Sequence, residues 1–221
     1  MDRQDWLNER RREAEERYST LWAPLYDTEG GIYPNASHQA YMKKFLSLII
    51  EPGTILDAAC GAGRYMPMLL AEGHSVVGID QAQGMLDQAK AKFPSVQVEK
   101  TGLQEMSYSE AFDGAICMDA LEHVPPEDWP PIFQNFHRAL KPNRYLYFTV
   151  EVADEQDVAQ AFQQGKEMGL PIVYGEWPNN SDVYHYYPTM PQVREWLLES
   201  GFKLMEEDEA DGYHHFVVRK A

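Results

Sequence analysis

The sequence predicts an α/β fold: a seven-stranded, mostly parallel, doubly wound sheet with an antiparallel last strand, helices on both faces, and a small helical and aromatic cap. Three observations carry this. From about residue 54 to 150, short apolar runs alternate with stretches of helical spacing. The first run ends in a turn of small residues, Asp57-Ala58-Ala59-Cys60-Gly61-Ala62-Gly63. The chain closes with two apolar runs joined by an acidic turn, Asp208 to Gly212, that is too short for anything but antiparallel neighbours.

Residues 5 to 22 predict a helix, because Trp6, Leu7, Arg10, Ala14, Arg17, Tyr18, Leu21 and Trp22 recur at helical spacing. The run Arg10-Arg11-Arg12 reads as a solvated face paired with Glu13, Glu15 and Glu16 rather than as an anion site. Pro24 stops this helix, and Thr28-Glu29-Gly30-Gly31 and Pro34-Asn35 read as loop. A helix over about 36–50 turns Tyr41, Phe45, Leu48 and Ile49 inward. Strands follow at Thr54–Asp57, Ser75–Asp80, Val96–Glu99, Phe112–Met118 and Tyr145–Val150, with helices at 64–72, 82–92 and about 127–140 between them. Strands that alternate with helices pair in parallel through right-handed crossovers. Residues 153–168 predict a polar helix, 170–187 an irregular, aromatic-rich stretch, and 190–200 a helix closed by Gly201. The last two strands are Phe202–Glu207 and Tyr213–Arg219. The expected organisation is a cap segment (1–50), a cofactor-binding core (51–152), a cap insertion (153–188) and a C-terminal helix and hairpin completing the sheet (189–221).

With 221 residues and 44% hydrophobic content, the chain can build a real core. Its net charge of -16, from 35 acidic and 19 basic residues, repels phosphate backbones, so no nucleic-acid partner is expected. Two cysteines, Cys60 and Cys117, are too few for a disulfide-stapled secreted domain. Met1 to Arg17 lacks the apolar stretch of a signal peptide. The best apolar run, Phe45 to Ile50, falls far short of the roughly 20 residues that span a bilayer. These features predict a cytoplasmic monomer or homodimer with no membrane partner.

In an open parallel sheet, ligands bind at the carboxyl ends of the strands where the strand order reverses. The turn after the first strand lets a ligand approach the backbone closely, and the helix after it offers free N–H groups to a carboxylate or phosphate. Asp80 ends the second strand 17 residues beyond Gly63, near the offset at which an acid accepts ribose hydroxyls. A nucleoside site follows. Met66 stands where a dinucleotide motif needs its third glycine, which counts against NAD, and no phosphate-binding Gly-Lys-Ser/Thr loop occurs.

These residues together resemble the class I S-adenosylmethionine-dependent methyltransferases. Asp57-x-x-Cys60-Gly61-x-Gly63-Arg64 is similar to their first motif, with Ala59 in place of its usual first glycine. Val77-Gly78-Ile79-Asp80-Gln81-Ala82-Gln83-Gly84-Met85-Leu86 resembles the second, in which the acid holds the ribose. Thr101-Gly102-Leu103-Gln104-Glu105 occupies the adenine position, where many members carry Asp at the place of Gly102 and where Leu103 would offer a backbone N–H and an apolar wall. Residues 113–124, ending in Met118-Asp119-Ala120-Leu121-Glu122-His123-Val124, resemble the fourth motif, and residues 140–146 resemble the turn before the fifth strand, with Asn143-Arg144 replacing Gly-Gly. The resemblance implies a Rossmann-like core that uses S-adenosylmethionine, releases S-adenosylhomocysteine and methylates an O, N or C atom of a small, aromatic or apolar molecule. It implies cofactor contacts from Asp57, Ala58, Ala59, Gly61, Gly63, Arg64, Asp80, Gln81, Met85, Gly102, Leu103, Gln104, Met118, Asp119 and His123.

In-line methyl transfer needs alignment first, and a base only where the acceptor carries a proton of high pKa. His123 and His185 are the candidate bases, each with a competing structural role. On the last strand, alternation sends one of His214 and His215 inward and the other outward. Asp119-x-x-Glu122-His123 is similar to a cluster that holds a divalent ion in some quinone-biosynthesis O-methyltransferases of this class, while many relatives with Leu-Glu-His-Val are metal-free; no metal is expected. Tyr18, Trp22 and Tyr26 from the first segment, with Tyr174, Trp177, Tyr184 and Tyr186 from the insertion, are the expected acceptor walls. The rival readings are an NAD-dependent oxidoreductase on a similar fold and a cofactor-binding protein without transfer activity.

Overall fold

The computed structural model describes every residue except 31–34 and 181–182, so parts of the two predicted loops and of the 170–187 stretch lie outside the described residues. Helix α1 (Arg3–Arg17) is N-capped by Asp2, whose carboxylate accepts from the Asp5 amide, and it runs on into a π-type turn at Tyr18–Trp22. Helix α2 (Ala36–Ser47) leads into β1 (Thr54–Ala58), α3 (Met66–Ala71), β2 (Ser75–Asp80), α4 (Gln83–Lys92), β3 (Gln97–Lys100) and β4 (Phe112–Cys117). Then come α5 (Trp129–Ala139), β5 (Leu140–Glu151), α6 (Glu155–Glu167), β6 (Glu176–Asn180), β7 (Val183–Tyr186), α7 (Met190–Glu199), β8 (Phe202–Ala210) and β9 (Tyr213–Lys220).

The main sheet has seven strands in the order β3-β2-β1-β4-β5-β9-β8. Strands β1 to β5 pair in parallel, and β9 slots antiparallel between β5 and β8. The order reverses between β1 and β4, which opens a crevice at their carboxyl ends. Alternation along each strand divides the core. Leu56, Ala115, Leu146, Phe148 and Phe216 face α5 and α7, where they meet Trp129, Phe133, Phe136 and Val193. Ile55, Ile116, Tyr147 and Val217 face the other way, onto Tyr41 and Phe45 of α2, Met66 and Leu69 of α3, and Leu86 of α4. His215 is buried on that second face with Tyr147 Oη at 3.0 Å from its Nδ1, while His214 turns to Glu207 and Glu209.

Two elements differ from the sequence reading. The fifth strand begins at Leu140, because Leu140 already pairs with Phe112 before a bulge. The 170–187 stretch contains an antiparallel hairpin, β6–β7, rather than only irregular chain. Val183, Tyr184, His185 and Tyr186 are all buried, so no apolar/polar alternation marks the strand. The hairpin is seated by a buried carboxylate: Glu176 accepts from Arg3 of α1, from Tyr184 Oη and from the Val173 amide. A buried charge is tolerated only when paired and hydrogen-bonded in this way. Among the described residues no helix is long and apolar enough to cross a membrane.

Candidate functional site

A cavity of about 260 Å³ opens over the carboxyl ends of β1, β2 and β4, roofed by α1 and the π-type turn that follows it. Its floor is the glycine turn. Gly61 and Gly63 have φ of 52° and 83°, the left-handed region where a Cβ is costly, and Ala59 stands there too at 55°. A Cβ on Gly61 would sit 3.3 Å from Met85 Cε and 3.8 Å from Tyr26 Oη, inside the cavity; a Cβ on Gly63 would press on Met66 and Phe93 behind it. The turn is closed from below, since Cys60 N–H donates to Ile79 O at 2.9 Å.

Asp80 holds this turn directly. Its carboxylate accepts the Gly61 N–H at 2.9 Å and the Ala82 N–H at 2.8 Å. Burial raises the Asp80 carboxyl, and these backbone donors oppose the rise. Beneath it, Asp57 is buried with Oδ2 unpartnered, and burial beside Asp80 pushes its carboxyl up to about 8. A buried acid without a partner is costly, so a bound cation nearby would relieve it. The orphaned Asp57 oxygen, the cradle at Gly61 and the acceptor oxygens of Asp80 fit a ligand that carries an ammonium, a sulfonium and a ribose diol.

At the end of β4, Asp119 has φ 51° and turns its carboxylate into a hub. His38 Nε2 lies 2.7 Å from Oδ1, while Tyr65 Oη at 2.9 Å and Arg64 at 3.3 Å reach Oδ2. Burial works to raise Asp119, but His38, Tyr65 and Arg64 outweigh it and hold the carboxyl below its ordinary value. Arg64 also lies over the Tyr26 ring at 4.9 Å, and burial pushes the Tyr26 phenol up to about 12.

His123 projects into the cavity from the short helical turn after β4. Its Nδ1 faces the Tyr184 carbonyl at 3.1 Å, and a carbonyl only accepts, so Nδ1 carries the hydrogen. Nε2 is therefore the acceptor, and Tyr18 Oη donates to it at 3.0 Å. Burial, with His185 alongside, pushes His123 down to about 4, so the ring stays neutral. Glu122 Oε1 is 4.0 Å from Nε2, and burial together with Asp119 raises the Glu122 carboxyl well above its ordinary value. Among the described residues, no group of three His, Cys, Asp or Glu side chains is arranged to hold a metal.

The structure brings together most of the residues singled out from sequence. Ala59, Gly61, Arg64, Asp80, Gln81 and Met85 line one part of the cavity. Gly102, Leu103, Gln104, Met118, Asp119 and His123 line the rest, with Tyr18, Tyr26 and Tyr184 as aromatic walls. Asp57, Ala58 and Gly63 support the turn without reaching the surface of the cavity. Four expected wall residues stand elsewhere. Tyr186 packs on Trp129 in the core, Trp177 packs against Tyr187, Tyr174 meets Phe162 at the surface, and Trp22 does not line the cavity. His185 lies behind His123, with ring centroids 4.6 Å apart, and faces Glu151.

Sequence reasoning missed other parts. His38 sits three residues before Tyr41 on the inward face of α2, a spacing that marks it as buried. Arg10 and Arg11 line the cavity as well as pairing with acids: Arg10 with Glu13 on its own helix, Arg11 with Asp128 of the core. Asn135 of α5 donates to the carbonyls of Leu103 and Gln104 at 3.0 and 3.1 Å and pins the loop after β3. Gly84 is the seat of the roof, because a Cβ there would collide with the Ser19 carbonyl. Gly84→Ala is expected to lift the 18–22 turn off α4 and to raise tryptic cleavage at Arg10–Arg12 at least about tenfold, the equivalent of ~1.4 kcal/mol of local opening. Timed proteolysis checks this, and an unchanged cleavage rate would show that the roof does not depend on that approach.

A doubly wound sheet that reverses between β1 and β4, inserts its last strand antiparallel, and sets a glycine turn and a strand-terminal acid around one cavity defines a methyltransferase-type Rossmann-like fold. A family model described as a methyltransferase domain matches residues 55–143. YqeM of Bacillus subtilis (strain 168), which carries the name of a methyltransferase, is 33% identical over 214 residues, spanning 83% of this chain and 85% of YqeM. The ubiquinone biosynthesis O-methyltransferase of Hahella chejuensis (strain KCTC 2396) is 34% identical over 158 residues, and the match spans 69% of this chain and 63% of that enzyme. Among solved structures, the 1,6-didemethyltoxoflavin-N1-methyltransferase of Burkholderia thailandensis superposes with a TM-score of 0.70 at 19% identity, covering 96% of this chain and 90% of that one. The protein belongs to the S-adenosylmethionine-dependent methyltransferase family.

Proposed function

We propose that the cavity binds S-adenosylmethionine along β1 and β2 and that the enzyme methylates a hydroxyl oxygen of a small aromatic acceptor, with His123 as the base. The observation that carries this reading is the phenol of Tyr18 lying 3.0 Å from His123 Nε2: the cavity already holds a phenolic O–H against a neutral, tautomerically fixed imidazole. The O-methyltransferases of ubiquinone biosynthesis among the relatives are consistent with an oxygen acceptor.

In this reading Ala59, Gly61 and Arg64 take the amino-acid end of the cofactor, and Asp80 takes the ribose diol. Bound S-adenosylmethionine supplies an activated methyl on a positively charged sulfur. Asp119, held below its ordinary value by His38, Tyr65 and Arg64, would give the cavity a fixed negative charge that favours binding of the cationic cofactor. Tyr18, Tyr26 and Tyr184 exclude water and clamp a flat acceptor. Its hydroxyl would take the place of that of Tyr18 and give its proton to His123 Nε2 as the oxygen gains the methyl and the carbon–sulfur bond breaks, leaving S-adenosylhomocysteine.

His123→Gln is expected to lower methyl transfer to phenolic acceptors by roughly 10²- to 10⁴-fold while leaving S-adenosylhomocysteine affinity nearly unchanged. Because His123 is held down at about 4, the wild-type rate should stay flat on the acid side until the pH approaches that value. Radiolabelled methyl transfer across a panel of phenols, catechols and amines tests both points. Wild-type turnover confined to amines, or full activity in the variant, would sink the assignment.

A further inference from the structure

In the proposed reaction the acceptor's place is already taken by a group of the chain itself. Of the tyrosines among the described residues that line the cavity, Tyr65 gives its hydroxyl to Asp119 Oδ2 at 2.9 Å and Tyr184 gives its own to Glu176 at 2.6 Å. Tyr26 lies beside Gly61, with the Arg64 guanidinium over its ring. Tyr18 differs, because its Oη meets an imidazole nitrogen, His123 Nε2, at 3.0 Å. That nitrogen is free to take a proton, since Nδ1 carries the hydrogen that faces the Tyr184 carbonyl. An external phenol methylated with His123 as the base must bring its oxygen to this same point. A methyl within reach of that oxygen is within reach of Tyr18 Oη.

The roof holds Tyr18 there. The residue opens the π-type turn Tyr18–Trp22, its carbonyl accepts the Ala23 N–H at 3.0 Å, and the backbone of Ser19 rests on Gly84 of α4. Burial raises the Tyr18 phenol well above its ordinary value, so it stays a hydroxyl and gives up its proton only to a base in contact with it. The core contains a matched pair. Tyr147 Oη lies 3.0 Å from His215 Nδ1, and His215 Nε2 faces the Ala210 carbonyl at 3.4 Å, so Nδ1 is the accepting nitrogen. Tyr147 is fully buried and does not line the cavity. The same phenol–imidazole contact therefore stands beside the cavity at Tyr18 and away from it at Tyr147.

We propose that Tyr18 is a self-methylation site: with S-adenosylmethionine bound and no acceptor present, Tyr18 Oη takes the methyl. The oxygen–carbon bond forms as the carbon–sulfur bond breaks, the phenol proton passes to His123 Nε2, and S-adenosylhomocysteine is released. The product is an O-methyltyrosine, which can no longer donate to His123. This rests on the reading of His123 as the base for an oxygen acceptor.

Mass spectrometry of the protein incubated with S-adenosylmethionine carrying a deuterated methyl, without acceptor, tests this. The chain should gain a single labelled methyl that peptide mapping places on Tyr18, with none on Tyr147. Tyr18→Phe should gain none, and His123→Gln should gain it roughly 10²- to 10⁴-fold more slowly. A second readout needs no cofactor. In imidazole nitrogen NMR of the free protein, His123 Nε2 should give the signal of an unprotonated nitrogen that accepts a hydrogen bond, and Tyr18→Phe should shift it. A label that falls on another residue, a label that His123→Gln gains at the full rate, or a His123 signal that Tyr18→Phe leaves unmoved would overturn the proposal. So would a wild type that methylates added phenols but never Tyr18, and the base assignment would then stand. A wild type that binds S-adenosylhomocysteine yet methylates neither would overturn the base assignment itself.

Discussion

Gly61→Val is expected to abolish binding of S-adenosylhomocysteine in a protein that still folds. At φ 52° a β-branched residue sits in the left-handed region, at a cost of about 1–2 kcal/mol. That is a fraction of the roughly 5–15 kcal/mol that holds a domain together, so the circular dichroism of the sheet should survive. The binding effect is larger because of where the new atoms go. The Cβ itself would sit 3.3 Å from Met85 Cε, and the two methyl groups beyond it would enter the space between Met85 and Tyr26. Both residues line the cavity, so the valine takes volume that a ligand needs. Gly61→Ala, with no methyls beyond Cβ, should weaken binding without eliminating it. A valine variant that binds within tenfold of the wild type, as read by calorimetry, would remove the glycine turn from the site.

The second large effect is expected at Asp80. Replacing it with alanine removes two hydrogen bonds that shape the turn, from Gly61 and Ala82, as well as the proposed acceptor of the ribose hydroxyls. Hydrogen bonds to a charged group contribute about 1.5–3 kcal/mol each, so the affinity for S-adenosylhomocysteine should fall at least about tenfold. Asp80→Asn keeps the shape and one acceptor oxygen but turns an amide N–H toward a backbone N–H. It should fall between alanine and the wild type. Unchanged affinity in Asp80→Ala would contradict the ribose assignment, and a lowered melting temperature with unchanged affinity would leave Asp80 only the turn to hold.

The glycine turn was legible in the sequence because its geometry is local. Small residues and glycines are needed wherever the backbone adopts positive φ, and those residues are contiguous from Asp57 to Gly63. Asp80 was legible through its offset from that turn, although its direct bond to the Gly61 amide is a tertiary fact. The aromatic walls were legible only in part. Tyr18, Tyr26 and Tyr184 reach the cavity, while Trp22, Tyr174, Trp177 and Tyr186, equally aromatic and on the same segments, do not. Within the β6–β7 hairpin, which Glu176 ties to Arg3, residues 173 apart in sequence, Tyr184 lines the cavity while Tyr186 packs on Trp129.

By itself the sequence determined the α/β class, the seven strands and the antiparallel end. It also determined the position of the glycine turn, because apolar periodicity, glycines and turn length act over a few residues. Only the tertiary structure decided which charges and rings share the cavity. His38 reaches Asp119 across 81 positions, Tyr18 reaches His123 across 105, and Ser19 rests on the bare Cα of Gly84. Periodicity says which face of an element is buried, but the neighbour it meets depends on how helices and sheet stack. In this protein that stacking roofs the crevice at the strand ends and places a neutral histidine in its wall.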